Sequence, residues 1–476
     1  MARPERGERL SAEPERLSAA DAAWLRMDRP ENLMVVTAVL WLGAPVDAAR
    51  LRQRLADRLV APHPRFRSRV HPRRLPLLPP TWRPDPSFDL DRHLRHVELG
   101  PDDDGEAALE RLVGELLQEP LDPAVAAPWQ LVLVDGHRDA SGAARSVLVG
   151  RLHHALADGS ALVQLLLDLT DEQAGPAPAA PPRRRSRALT AGRLALAVPA
   201  TTAQLLFMAP EPRTPLRGRL GVRKVAAWAD PRPLDQVKAA ARRFDATVND
   251  VLLAAVAGGL RRHLAERFND SSTGALPRRL RVYVPVDLGA ALAPGAGPGS
   301  PLGNRFGLLP LRLPVAEPDP RARVRQVAAA TRAAKRSPVP AATFVLIGVL
   351  GVVPGVVRRL VVGLLGARAT AIVTNVPGPR ERRSLAGVPV DGVAFWVPQA
   401  AAVGVGVSLF SYAGTVRIGV AADAGLVPDA GRLARDLDAA LEELLGDTEL
   451  LGDTELLGDT TSDTPSVGNS GEAPDV

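Results

Sequence analysis

Cysteine is absent from the 476-residue chain. Disulfides, thiolate metal sites and a thiol nucleophile are therefore excluded. Aromatic residues make up only 4% of the chain, whereas hydrophobic residues make up 46%. A large core must therefore be built mainly from alanine, valine and leucine. The length suits two or three domains of ordinary size.

Lysine is almost absent as well. It occurs only at Lys224, Lys238 and Lys335, so 56 of the 59 basic residues are arginine. After Arg435 there are twelve acidic residues and no basic one, which leaves the preceding chain with a net charge of +18. Such a basic body attracts nucleic acid, anionic lipid or a phosphate-bearing substrate. No nucleic-acid motif and no basic stripe with interleaved aromatics is present, which argues against nucleic acid.

Composition divides the chain into two predicted domains, residues 17–170 and 225–445. Residues 171–224 between them begin with a Pro-rich and then Arg-rich stretch that is typical of a linker. The polar N-terminus, residues 1–16, does not resemble a signal peptide and is predicted to be disordered. The acidic tail, residues 446–476, continues a repeated Glu-Leu-Leu-Gly-Asp-Thr unit and is also predicted to be disordered.

Two apolar stretches outside the motifs invite a structural prediction. Residues 189–208 are predicted to be helical as far as Pro199, which should interrupt the helix. Residues 339–357 are the most apolar and reach the length of a membrane span, but glycines and a proline break the run. A helix pair, packed inside the protein or lying at a membrane face, is therefore favoured over a true span.

The most distinctive stretch, residues 146–170, contains two adjacent histidines. It opens with a short apolar run of strand length, which His153 and His154 follow directly. After Asp158 and Gly159 the leucines recur at helical spacing. The pattern predicts that the histidines end a buried strand and that Asp158-Gly159 makes the turn into a helix.

Histidines at this position suit proton transfer. Successive strand residues point to opposite faces, so one imidazole can face a cavity while the other is packed. A neutral imidazole with a pKa near ~6.5 can take a proton from a hydroxyl. Asp158 could fix the loop, fix an imidazole or pair with an arginine, and Gly159 permits backbone angles closed to other residues. Two satisfied core histidines are the simpler alternative, but His-His-x-x-x-Asp-Gly is specific enough to favour a functional site.

Asn249 and Asp250 form a second candidate pair. Thr247 with Asp250 three residues later is typical of a capping box at a helix N-terminus, which would by itself explain Asp250. Asn249 has no such explanation.

Taken together, these segments resemble the bacterial bifunctional wax ester synthase/acyl-CoA:diacylglycerol acyltransferases. The resemblance runs from residue 17 to about residue 445, in matching order and spacing. The segments that carry it are LSAADAAWLRMD at 17–28, Phe88-Asp89-Leu90 with His93, Leu121-Asp122 with Pro128-Trp129, HHALADG at 153–159, VNDV at 248–251, Gly303-Asn304 and NVPGP at 375–379.

The resemblance implies a fold and a set of site residues. The fold would be α/β, with two domains similar to chloramphenicol acetyltransferase, each with a mixed sheet, and an active-site tunnel between them. His154 would be the general base and Asp158 mainly a structural support, while His153 and Gly159 would shape the loop. Asn249 and Asp250 would lie on the second domain's side of the site. The remaining motif residues, structural in this interpretation, are Pro128, Trp129, Asn375, Pro377 and Gly378.

The implied activity is transfer of a long-chain fatty acyl group from acyl-CoA to an alcohol. With diacylglycerol the product is triacylglycerol, and with a long-chain alcohol it is a wax ester. The base deprotonates the alcohol, and the alkoxide attacks the thioester directly to form an oxyanion. Backbone amides near Gly159 and the Asn249 amide are alternative oxyanion donors. No cofactor, metal or acyl-enzyme is implied, which agrees with the lack of a Gly-x-Ser-x-Gly elbow.

The expected partners are the two substrates and a membrane or lipid-droplet surface, and a homodimer is left open. The expected location is cytoplasmic, with peripheral attachment to the inner membrane or to lipid inclusions. Two other functions share part of the pattern. A condensation-type acyltransferase would take its acyl group from a carrier-protein thioester, and a non-catalytic lipid-binding protein would not turn over substrate.

Overall fold

A computed structural model describes residues 15–73, 78–100, 105–139, 141–172, 191–269, 276–288, 303–399 and 401–446. The predicted disordered tail from residue 447 onward lies outside the described residues, as do residues 173–190 of the predicted linker segment 171–224. Residues 1–14 of the N-terminus, which is predicted to be disordered, also lie outside the described residues. Glu15–Arg16, at the end of that segment, is a short strand rather than disordered.

The described residues form eleven α-helices and sixteen strands. The helices are α1 Ala19–Met27, α2 Ala48–Leu55, α3 Gly105–Leu116, α4 Gly159–Leu169, α5 Ala191–Phe207, α6 Leu234–Arg243, α7 Val248–Asn269, α8 Pro320–Ala334, α9 Val339–Leu350, α10 Gly355–Gly366 and α11 Ala430–Gly446. The strands are β1 Glu15–Arg16, β2 Val35–Leu42, β3 Ser68–His71, β4 Thr81–Pro84, β5 Leu94–Glu98, β6 Trp129–Arg138, β7 Ala144–His153, β8 Lys224–Trp228, β9 Arg232–Pro233, β10 Leu280–Asp287, β11 Phe306–Leu313, β12 Ala371–Pro377, β13 Ser384–Leu385, β14 Val388–Trp396, β15 Val405–Tyr412 and β16 Thr415–Asp423.

The first large sheet has the strand order β13-β14-β2-β7-β6-β5. It is mixed, because β5 runs parallel to β6 while β6, β7 and β2 pair antiparallel. The predicted strand that ends in the two histidines is β7, at the centre of this sheet. Its neighbour β2 pairs Val35 with His153, so the histidines lie at the end of the β2–β7 ladder.

The second large sheet has the order β11-β10-β12-β15-β16-β8, with β9 paired to β16. It is also mixed, since β12 runs parallel to both β10 and β15. Helices α7 and α11 cover one face and form the largest apolar core with it. A Cβ at Gly259 of α7 would lie 2.5 Å from the Cα of Leu437 in α11, so these two helices cross as closely as they do only because that position is glycine.

Two strands, β13 and β14, cross from the second predicted domain into the first sheet. β14 belongs to the 225–445 segment but pairs antiparallel with β2 of the first sheet, for example Ala394 with Val39. The boundary predicted from composition is therefore too simple. The physical reason is that β14 carries the same buried apolar pattern as its neighbours, and pairing partners are not written in the pattern of a single strand.

Both apolar segments are helical, as predicted, but one helix does not end where its sequence predicts. The prediction that Pro199 ends a helix is wrong, because α5 continues through it to Phe207. The 339–357 stretch is a helix pair, α9 and α10, joined at Pro354. Among the described residues no helix combines the length and apolarity that a bilayer crossing requires.

Candidate active site

The two histidines lie where β7 ends and the chain turns toward α4. The backbone N–H of His153 donates to the carbonyl of Pro128, and that of His154 donates to the carbonyl of Met34. Both side chains are buried, but they have different neighbours. His154 lines a cavity and His153 does not.

The imidazole of His154 is held between aromatic rings. It stacks on Trp24 of α1 with ring centroids 4.5 Å apart and planes 13° apart, and it contacts Phe306 of β11 at 5.5 Å. Burial lowers the pKa of His154 below its ordinary value, although the Asp158 charge and the Asn304 side chain act in the opposite direction. The ring is therefore neutral at neutral pH, as a general base must be.

Asp158 joins the turn to the second half of the chain. Its Oδ1 accepts from the backbone N–H of Ala161 at 3.0 Å, which caps α4. Its Oδ2 accepts from the backbone N–H of Arg305 at 2.9 Å, next to the start of β11. Both oxygens thus serve the backbone, and the carboxylate fixes the loop on which His154 lies.

Asn304 and Asp21 support His154 from the other side. The side-chain amide of Asn304 donates to the backbone carbonyl of His154 at 2.7 Å and to Oδ1 of Asp21 at 2.8 Å. The backbone N–H of Asn304 also donates to that Oδ1, at 3.0 Å. Within the described chain, Nδ1 of His154 and Oδ1 of Asn304 are both buried without a hydrogen-bond partner.

His153 has structural contacts only. Its Nδ1 accepts from the backbone N–H of Ala155 at 3.1 Å, so the proton lies on Nε2, 3.8 Å from Oδ2 of Asp28. Burial lowers the pKa of His153 to about 3, and burial raises the pKa of Asp28 to about 6. Since the pair is not close enough for a hydrogen bond, His153 remains a neutral, packed side chain that shapes the loop.

A cavity of about 270 Å³ lies beside His154 and is shared by the two halves of the chain. From the first half it is lined by Trp24, His154, Asp158, Gly159 and Val163, and from the second mainly by residues of β10, β11 and β12. Its only polar side chains besides His154 and Asp158 are in the second half, and most of the wall is apolar. The cavity therefore suits a lipid substrate whose reacting group alone is polar.

A second cavity lies between α4 and the first sheet and is lined almost entirely by apolar side chains. It shares Gly159, Val163 and Val376 with the His154 cavity, so the two cavities are adjacent at the start of α4.

The second-domain pair, Asn249 and Asp250, divides between two tasks. Oδ1 of Asn249 accepts from the Asn375 side chain at 3.1 Å, and Asn375 lines the His154 cavity. Asp250 forms the capping box, with its carboxylate accepting from the backbone N–H of Thr247 at 2.9 Å, and it also accepts from the hydroxyl of Thr331. Asn249 thus contacts a residue that lines the cavity without lining it itself, whereas Asp250 caps the start of α7.

The remaining motif residues support the walls. Trp129 lines the apolar cavity and donates from its indole N–H to the carbonyl of Phe66 at 2.8 Å. Pro377 lines the His154 cavity. A Cβ at Gly378 would lie 2.5 Å from the Phe410 ring, which excludes any side chain there. The sequence prediction assigned no site role to Trp24, Asp21, Phe306 or Asn304. Three of these lie in segments that carried the resemblance, and only the fold shows that they meet at His154.

Because His153 is held neutral in the folded state, it should make the protein sensitive to acid. Its folded pKa of about 3 lies below the ordinary value of 6.5, so below pH 6.5 only the unfolded chain takes up this proton and stability falls with pH. We expect His153→Asn, which keeps an acceptor near Ala155, to reduce the slope of unfolding free energy against pH by up to about 1.4 kcal/mol per unit. Urea titrations between pH 7 and pH 5 measure the slope.

Comparing the variant with the wild type isolates this effect, because Asp28 titrates in the opposite direction in both proteins. The matched control is the exposed His96→Asn, which should leave the slope unchanged. Equal slopes in wild type and His153→Asn would mean that His153 is not held neutral.

Comparisons with known proteins agree with this geometry. The model of the wax ester synthase/diacylglycerol acyltransferase catalytic domain matches residues 17–193, and that of the WS/DGAT C-terminal domain matches residues 302–445. A Mycobacterium tuberculosis H37Rv protein named as a probable diacylglycerol O-acyltransferase is 30% identical over 459 residues, which span 90% of this chain and 95% of that protein. A Mycobacterium bovis protein named as a putative diacylglycerol O-acyltransferase is also 30% identical over 459 residues, which span 90% of this chain and 95% of that protein.

Solved structures show the same fold. The wax ester synthase/diacylglycerol acyltransferase of Marinobacter aquaeolei VT8 superposes with a TM-score of 0.66 at 23% identity, covering 91% of this chain and all of that one. The first condensation domain of the calcium-dependent antibiotic synthetase superposes with a TM-score of 0.60 at 21% identity, covering 91% and 96%. The predicted fold, two α/β domains with mixed sheets, is confirmed.

Proposed function

The chain belongs to the wax ester synthase/diacylglycerol acyltransferase family and is an acyltransferase, and we propose that it moves a long-chain acyl group from acyl-CoA to the hydroxyl of diacylglycerol or of a long-chain alcohol. The observation that carries the proposal is the buried, neutral imidazole of His154, which faces a largely apolar cavity between the two halves of the chain.

His154 acts as the general base in this proposal. Its Nε2 takes the proton of the acceptor hydroxyl while the alkoxide oxygen bonds to the thioester carbon. The tetrahedral intermediate then collapses, the carbon–sulfur bond breaks, and the imidazolium returns its proton to the leaving thiolate of CoA. No acyl-enzyme forms and no cofactor is needed. The low-polarity surroundings strengthen each charge–dipole interaction in the intermediate.

The start of α4 is the proposed oxyanion site. N–H groups in the first turn of a helix have no intrahelical acceptor, and the positive end of the helix dipole favours negative charge there. Gly159, the first residue of α4, lies on the cavity wall. The alternative donor, the side-chain NH2 group of Asn249, is less favoured because Asn249 does not line the cavity.

Two acceptors are compatible with the cavity, and a direct assay ranks them. Purified protein is incubated with labelled palmitoyl-CoA and either diacylglycerol or hexadecanol, and the lipid products are separated. We expect labelled triacylglycerol, labelled wax ester or both. If the protein binds both lipids and yields neither product, the non-catalytic lipid-binding function takes the place of this proposal.

We also propose that the protein attaches peripherally to an anionic membrane or lipid-inclusion surface in the cytoplasm, through a face that we call the α9–α10 face. Six of its large apolar side chains are exposed, namely Val345, Val349, Val356, Val357, Leu360 and Leu364. The two helices, residues 339–366, contain Arg358 and Arg359 and no acidic residue. Apolar side chains with surrounding positive charge suit the interface of an anionic bilayer.

The α9–α10 face also lies close to the site. α9 packs on α1 and β11, and the apolar cluster under it includes Trp24 and Ile347, with Phe306 packed against the cluster. Trp24 and Phe306 in turn line the His154 cavity. A lipid that enters from this face would therefore need to pass only one layer of apolar side chains.

The attachment can be tested with vesicles that contain phosphatidylglycerol. We expect the double variant Val356→Asp/Leu360→Asp to lose most sedimentation with these vesicles, because it places two charges where the bilayer would contact the protein. Binding of the wild type should weaken at high salt. Val125→Asp is the matched control, since Val125 is 68% exposed and Val356 is 69% exposed, and Val125 lies in the loop before β6.

Full sedimentation of the double variant would show that another surface contacts the membrane. If sedimentation persists while a dimeric wild type becomes monomeric in the double variant, the α9–α10 face is instead a contact between two copies of the chain.

A further inference from the structure

The apolar cavity under α4 is built by an unusual pair of small residues. Ala38 of β2 and Gly150 of β7 are directly paired across the two central strands of the first sheet. Their larger neighbours in register are Phe395, opposite Ala38, and Leu131, opposite Gly150. All four line the cavity, and a Cβ at Gly150 would lie 3.2 Å from Cδ2 of Leu131, so Ala38 is the position of the pair where a larger side chain would project into the cavity.

The opposite wall is α4, which contributes its apolar side. Leu162, Leu165, Leu166 and Leu169 line the cavity, spaced so that successive turns of the helix face the sheet. The indole N–H of Trp129, the one polar atom of an aromatic side chain in this wall, already donates to Phe66. An apolar cavity of this kind stays dry, and an unoccupied one is unfavourable, so it is suited to a hydrocarbon ligand.

The mouth of the cavity determines which end of a ligand faces the site. The two cavities meet at Gly159, Val163 and Val376. Gly159 begins α4, and a Cβ there would approach Val376 at 3.5 Å, narrowing the passage. A chain that lies in the apolar cavity therefore places its carbonyl carbon at the start of α4, beside His154, where the proposed oxyanion site lies.

We propose that this cavity holds the acyl chain of the acyl-CoA donor and that the Ala38–Gly150 pair sets the length of chain accepted. The inference rests on the proposed function and deepens it by assigning one substrate to one cavity. A single unbranched acyl chain suits a cavity whose wall is almost entirely apolar. Diacylglycerol carries two chains next to its hydroxyl and does not fit there, so it enters through the larger cavity.

A larger side chain at position 38 should shift the preference toward acyl-CoA donors with shorter acyl chains. Leucine in place of Ala38 adds the volume of about three methylene groups, and each methylene kept out of apolar surroundings lowers binding about fourfold. We expect Ala38→Leu to lower kcat/KM for palmitoyl-CoA by about 50-fold. The value for octanoyl-CoA should change by no more than about threefold, because a chain eight carbons shorter does not reach position 38.

Two controls separate a change of shape from a loss of folding. Ala38→Ser keeps a small side chain at position 38 and should keep the wild-type preference for chain length. Val39→Leu changes the next residue of β2, which is buried in the cluster on the other face of the sheet, and should also keep that preference. Binding of cis-parinaric acid, followed by fluorescence, gives a readout that needs no turnover and should weaken only in Ala38→Leu.

Three results would overturn the assignment while leaving the proposed function intact. They are an unchanged donor profile in an active, folded Ala38→Leu; a uniform loss for all donor lengths; and a shift in preference among alcohols of different length at a fixed donor, which would place the acceptor in this cavity. Failure of the proposed function is distinct, because the wild type would then transfer no acyl group from any acyl-CoA.

Discussion

Alanine in place of His154 is expected to lower kcat for acyl transfer by about 10²–10⁴-fold, the usual contribution of a general base. Among the described residues that line the larger cavity His154 is the one histidine, and stacking on Trp24 fixes the plane of its ring. Without it the acceptor hydroxyl must lose its proton to water. Steady-state rates with palmitoyl-CoA and diacylglycerol measure the effect.

The matched control for this loss is His263→Ala. His263 is as buried as His154, but it lies on α7 with its ring 2.9 Å from Asp436, outside the cavity. We expect it to cost stability and to leave kcat of the folded protein unchanged. A His154→Ala variant that keeps more than a tenth of wild-type kcat would show that another group takes the proton.

The pH dependence of kcat/KM provides a second test of the role of His154. Because burial lowers the pKa of His154, the base stays unprotonated below pH 6.5. The acid limb of kcat/KM should therefore fall through an apparent pKa below 6.5, with activity lost as the ring is protonated. A limb centred at pH 7 or above would contradict a buried base.

Alanine in place of Asn304 is expected to lower kcat by about 10²-fold, the cost of misplacing a reacting group by about 1 Å. The Asn304 amide holds the backbone of His154 and is itself held by Asp21, so it joins the second half of the chain to the base. The KM for either substrate should change little, because Asn304 does not line the cavity.

A double-mutant cycle distinguishes positioning from a general loss of stability. If Asn304 acts through His154, removing it from a His154→Ala background should not lower the residual rate further. A purely structural residue would reduce the folded fraction in both backgrounds to the same degree. Additive losses in kcat, corrected for the folded fraction, would show that Asn304 does not position the base.

Much of this fold could be predicted because the relevant signals are local. The apolar run before His153, the turn at Asp158-Gly159 and the leucine spacing after it all lie within 25 residues, and β7 and α4 have the predicted order. The capping box at Thr247 likewise needs only three neighbouring residues, and its hydrogen bonds are present.

The features that could not be predicted depend on distant contacts. Asn304 and Asp21 are 283 residues apart, and nothing in either segment shows that they meet under His154. The crossing of β14 into the first sheet is hidden for the same reason, since its pattern fits either sheet. The apolar cavity depends on Ala38 lying opposite Gly150, and strand register cannot be obtained from two separate apolar runs. The prediction that Pro199 ends a helix is wrong because the packing of α5 on α9 outweighs the local cost of a proline inside a helix.

The choice of acyl donor tests the central claim most directly. Purified protein and diacylglycerol are given labelled palmitoyl-CoA in one reaction and a labelled palmitoyl carrier-protein thioester in another, and triacylglycerol is measured in both. We predict triacylglycerol from palmitoyl-CoA, with one free CoA released for each molecule formed. Product from the carrier-protein thioester alone would contradict this account and favour a condensation-type acyltransferase.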